Sequence, residues 1–137
     1  MQKKLMFFVG LLLCGAILTM SSCKKDDPVI PNAYVPQFSA SAMPTTVGGV
    51  ELLDFFIVCT SDDYELITVK VKYPGGAGDD TFTGSGMILA VDEPISFPQY
   101  FTKLLGTWTF TIKGNIKTGS HAGTSFAATT SVMVAGK

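Results

Sequence analysis

Hydrophobic residues fall into two regimes along the chain. From Leu5 to Met20 they form a nearly continuous run of 16 residues. From Gln37 onward they alternate with polar residues at the period-two spacing of β-strands. Leu53, Phe55, Ile57 and Cys59 alternate with Leu52, Asp54, Phe56 and Val58; both sets are largely apolar, which predicts a central strand. Ser61-Asp62-Asp63 makes a turn. Ile67, Val69, Val71 and Tyr73 then alternate with Thr68, Lys70 and Lys72, the pattern of a half-buried strand. Pro74-Gly75-Gly76, followed by Gly78 and Asp79, ends it with turn chemistry. Phe82, Met87, Leu89 and Val91 mark one or two shorter strands, with a bulge expected at Gly84 and Gly86. Asp92-Glu93-Pro94 is another turn, and Gln99 to Leu105 has room for a single helical turn. Trp108, Phe110 and Ile112 then share one face, with Thr107, Thr109, Thr111 and Lys113 on the other. After a loop from Asn115 to Gly123, Phe126, Ala128, Thr130, Val132 and Val134 line one face of a last strand. About seven short strands, with turn signals about every 8 to 12 residues, predict an all-β chain folded as an antiparallel sandwich.

Composition separates the two regimes further. The chain has 137 residues, and 14 of its first 22 are hydrophobic. Beyond residue 22 it carries eight Lys, no Arg and eleven acids. There is no cationic excess to neutralise phosphates, so no nucleic-acid partner is expected. About a hundred residues bury one modest core, which makes 37–137 a single domain. Residues 28–36 contain Pro28, Pro31 and Pro36 and read as a semi-stiff spacer.

The first segment is an address. Lys3 and Lys4 precede the apolar run, and the small residues Ser21 and Ser22 follow it, as in a secretory signal. The run is short of the roughly 20 residues a spanning helix needs. Cys23 comes next. In Met20-Ser21-Ser22-Cys23 the chain resembles a bacterial lipoprotein precursor. Cys14, inside the run and preceded by three leucines, does not fit that pattern. The resemblance implies cleavage before Cys23 and a diacylglycerol on its sulfur, so that residues 1–22 are the signal peptide and 23–36 the lipidated tether. Lys25-Asp26-Asp27 is similar to the signal that directs lipoproteins of the Bacteroidetes group to the cell surface. The implied location is the outer membrane, lipid-anchored and facing outward; the alternative is a periplasm-facing structural lipoprotein of an envelope complex.

The folded part resembles an immunoglobulin-like or fibronectin-like module. The likeness rests on Leu105-Gly106-Thr107-Trp108-Thr109-Phe110-Thr111-Ile112, which is similar to a late strand of such modules in bacterial surface lipoproteins. It implies a single antiparallel immunoglobulin-like sandwich of about seven strands over 37–137, and by itself no ligand.

Candidate chemistry is sparse, and no enzyme is expected. Cys59 has no cation or His near it in sequence and reads as a small buried hydrophobe. His121 reads as a solvated loop residue. A hydrolase triad would need a nucleophile elbow, which Gly84-Ser85-Gly86 resembles only superficially. Asp62-Asp63, Asp79-Asp80 and Asp92-Glu93 could offer oxygens to calcium, but without calcium-loop spacing they read as solvated turn acids, and no metal or cofactor is expected. Trp108 belongs to the core by its register with Phe110 and Ile112. Tyr64, placed in a loop, and Tyr100 and Phe101, placed in an irregular segment with Phe97, are the residues a sugar-stacking platform would use; capping of one end of the sandwich is the competing role. The expected function is that of a non-enzymatic binding or accessory module, for glycan capture or for adhesion and assembly with a partner surface protein.

Overall fold

The computed structural model describes residues 33–136. Cys23, Lys25, Asp26 and Asp27 lie outside them. Seven strands follow one another: β1 (Phe38–Val47), β2 (Val50–Cys59), β3 (Tyr64–Lys72), β4 (Asp79–Leu89), β5 (Phe101–Thr102), β6 (Gly106–Ile116) and β7 (Ser125–Val134). They form two antiparallel sheets, ordered β1-β2-β5 and β4-β3-β6-β7. The chain changes sheet after β2, after β4 and after β5, so the body is a seven-stranded antiparallel β-sandwich. Tyr34 packs against the core and Pro36 is buried, so the compact unit begins at Tyr34, three residues ahead of the expected boundary.

Local chemistry accounts for the first hairpin. Val47 pairs with Val50 across Gly48 and Gly49, whose φ angles are 59° and 83°. A two-residue turn with both φ values positive matches the twist of the flanking strands, and glycine adopts it without a Cβ penalty. The inward residues of β2 (Leu53, Phe55, Ile57, Cys59) meet Val69, Val71, Trp108, Phe110 and Ile112 from the larger sheet. Phe55 is a hub, with ring centroids 4.8 Å from Trp108, 5.0 Å from Phe110 and 5.3 Å from Phe101. Trp108 is buried, and its Nε1–H donates to the Leu104 carbonyl at 3.0 Å.

Four sequence expectations change. Tyr64 is not a loop residue: it opens β3, pairs with Leu89 and Ile116, and is wholly buried between the rings of Phe38 and Phe126. Ile67 does not share the buried face of Val69 and Val71. The register shifts between Leu66 and Thr68, and this bulge turns Ile67 out to 43% exposure while Tyr64 and Leu66 point in. One 11-residue strand, β4, runs from Asp79 through the bend at Ser85 and Gly86 to Leu89 and stops short of Val91. Between Gln99 and Leu105 the chain forms β5, not a helical turn, because Phe101 is drawn into the core as Leu53 and Leu52 pair with it and with Thr102.

Candidate functional site

The two sides of the sandwich are unlike. On one, β1 lies against β7, and Thr130 Oγ1 donates to the Phe38 carbonyl at 3.4 Å. On the other, β5 is only two residues long, and the connection from β4 to β5 has to complete the edge of β2. It does so at two places. Ile95 N–H donates to the Ile57 carbonyl (2.9 Å), Asp92 N–H donates to the Cys59 carbonyl (2.8 Å), and further along Leu53 pairs with Phe101. Between these points residues 54–56 of β2 face the longer segment 96–100, which bows away and carries Pro98.

That bow opens a cleft of about 330 Å³, to which Asp54, Phe56, Ser96, Gln99 and Tyr100 contribute. Phe55 also lines it, although the whole residue, main chain included, is only 1% exposed. Antiparallel strands direct the N–H and C=O of alternate residues to the same side. Since Ile57 and Cys59 use that side toward the connection, Phe55 does too, and no described residue bonds its N–H or C=O there. Tyr100 is 51% and Phe56 37% exposed. Asp54 is the only charged residue lining the cleft. A second, more apolar cleft of about 490 Å³ lies across the same connection, beneath β4, lined by Leu66, Val69, Phe82, Met87, Ile95 and Phe97 among others.

Of the three residues expected to form an aromatic platform, Tyr100 alone is exposed. Phe101 is 2% exposed and packs edge-on to Trp108 and Phe82, and Tyr64 is in the core; strand alternation turns each inward. Phe56 takes their place at the site. It was hidden in the sequence because the outer face of β2 is as apolar as the inner one, which reads as burial on both sides. β2 is central within its sheet, but among the described residues no third layer covers its outer face.

The remaining candidates have structural partners. Cys59 is a free, buried thiol whose sulfur lies 3.8 Å from Ser61 Oγ. His121 is not simply solvated: its ring stacks on Tyr34 at 3.8 Å between centroids and 5° between planes. Tyr34 donates to Asp62 Oδ2 (2.7 Å), as does Ser61 Oγ (2.6 Å), and this bond holds the Tyr34 phenol above its ordinary pKa. Asp63 Oδ1 accepts from Val91 N–H (2.8 Å), Asp80 accepts from the Tyr73 hydroxyl, Asp79 pairs with Lys70 (3.0 Å), and Glu93 accepts from Ala90 N–H (2.9 Å). The turn acids therefore tie loops and strand ends together. Among the described residues no three His, Cys, Asp or Glu side chains converge as a metal site.

Comparison of the chain with protein-family models, with curated proteins and with solved structures finds no match.

Proposed function

We propose that this chain is a lipid-anchored, non-enzymatic binding module, an immunoglobulin-like sandwich displayed on the outer membrane and facing outward. The observation that carries the reading is Cys23, placed behind an apolar run too short to span and preceded by Ser21-Ser22. Lys25-Asp26-Asp27 supports the outward face by its likeness to a surface-export signal. Acyl chains on one Cys suffice for anchoring, since each buried methylene contributes about 0.8 kcal/mol and two chains hold where one exchanges. Ten residues separate Cys23 from Tyr34, where the compact unit begins. Fully extended they reach roughly 35 Å, enough to lift the sandwich clear of lipid headgroups. The exposed cleft beside Tyr100 gives such a module a surface on which to bind.

The test is metabolic labelling of the full chain with a fatty acid. The wild type takes up label and loses residues 1–22; Cys23→Ala takes up none and keeps its signal. Labelling of that variant would refute the anchor. Protease treatment of intact cells then reads the face: the domain is removed if it is displayed, and survives until lysis if it faces the periplasm.

A further inference from the structure

We infer that the cleft between β2 and segment 94–100 is a binding site for a neutral glycan, which stacks on Tyr100 and Phe56 and exchanges hydrogen bonds with Asp54, Ser96 and Gln99. The inference deepens the reading of the chain as a binding module and names the class of ligand.

Three features select the class. First, Tyr100 and Phe56 put large, half-exposed rings on one cleft. Such rings offer flat, partly apolar faces, and the C–H faces of a pyranose are flat and partly apolar in the same way. Second, the polar groups present are those that hydroxyls satisfy. Asp54 accepts, and Gln99 and Ser96 both donate and accept. A hydroxyl, at once donor and acceptor, can serve all three side chains. Third, no Lys lines the cleft, and its single charge is negative, which disfavours uronic, sulfated or phosphorylated sugars.

The same geometry argues against a peptide strand. Strand addition needs a run of free edge groups, as in other β-augmentation sites. Here the vacant stretch is short, because Leu53 pairs with Phe101 and the Ile57 C=O already accepts from Ile95 N–H, and Phe55 between them is 1% exposed. Segment 96–100 stands beside the gap and leaves no lane for a second strand. At about 330 Å³ the cleft is at the small end of ligand sites and open to solvent, which suits one or two rings of a polymer passing across it.

The experiment is native gel electrophoresis of the full chain, lipidated and in detergent, through gels containing a soluble β-glucan, a mannan, a starch or polygalacturonate. Expected is retardation by at least one of the three neutral polymers. Tyr100→Ala and Phe56→Ala should each weaken it about fivefold or more, the size of one lost aromatic contact. Tyr100→Phe, which keeps the ring, should retain most of it, and Met133→Ala, on the far sheet, should leave it unchanged. Thermal melting of each variant reports folding separately. Retardation by polygalacturonate alone, by none of the four polymers, or equally in wild type and both alanine variants overturns the assignment. The unlipidated Cys23→Ala chain, run in parallel, should bind as the wild type does, so a failure of the anchor and a failure of this site are read by different assays.

Discussion

Tyr64 carries the one side-chain polar atom that, among the described residues, is buried without a hydrogen-bond partner. Its ring is well placed, edge-on to Phe38 at 5.3 Å and to Phe126 at 5.9 Å between centroids. Its hydroxyl has lost water and gained nothing, and burial pushes its pKa far above the ordinary phenol value. Trp108 shows the alternative, a buried polar aromatic whose N–H has found a carbonyl. An unpaired buried hydroxyl costs about 1–3 kcal/mol in proteins. Tyr64→Phe keeps the ring packing and deletes the orphaned oxygen, so the expected result is an unfolding free energy higher by about 1 kcal/mol or more, read as a higher urea midpoint. A fall in that midpoint would mean that the hydroxyl has a partner. Sequence could not show this, because Tyr64 directly follows the Ser61-Asp62-Asp63 turn; only the neighbouring strands decide that its hydroxyl is sealed.

At the scale of elements, the bulge in β3 is accommodated by its neighbours. Residue Ile67 is extra relative to β6, and β4 answers with the bend at Ser85 and Gly86. Both flanking strands approach β3 closely at this point, and each does so with a glycine. A Cβ on Gly84 would stand 2.4 Å from the Leu66 carbonyl oxygen, and one on Gly114 would stand 2.3 Å from that of Glu65. Main-chain oxygens held in a sheet cannot step aside as the end of a flexible side chain can. Gly84→Ala and Gly114→Ala should therefore each destabilise the sandwich by about 1–3 kcal/mol, through displaced strands. In a domain of this size that lowers Tm by roughly 4–8 °C per kcal/mol, measurable by circular dichroism. An unchanged Tm for both would show that β3 does not bulge here. The glycines were visible in the sequence as a sign of a bulge near residues 84–86. Its partner at Ile67 was not, because the run Ile67, Val69, Val71, Tyr73 alternates without a break.

For the molecule as a whole, three phenols share one property. Tyr73 is pushed up to about 12, chiefly by its hydrogen bond to Asp80 and then by burial. Tyr34 is raised by its bond to Asp62, and Tyr64 by burial. A group whose pKa is higher when folded holds its proton more tightly in the native state. Its contribution is complete below the unfolded value near 10 and disappears as pH rises through the folded value. Stability should therefore show no tyrosine-linked loss up to about pH 10 and should fall between about 10 and 12. Urea unfolding across that range checks it, and Tyr73→Phe should make the fall shallower. A fall equally steep in Tyr73→Phe would remove Tyr73 from the account.

Period-two alternation is a local property, so the chain's own order of residues was enough to establish an antiparallel sandwich of about seven strands and to send Trp108, Phe110 and Ile112 inward. Exposure is not local. Whether Phe56, Tyr100 or Phe101 shows its ring depends on what lies above each face, and sequentially distant strands decide that. Phe101 and Tyr100 are adjacent, yet pairing with Leu53 buries the first and leaves the second at the rim. The cleft has the same origin. It exists because β5 is too short to cover β2, so a loop bonded at both ends bows out between, and only the tertiary arrangement brings Asp54 and Phe56 of one segment to Gln99 and Tyr100 of another.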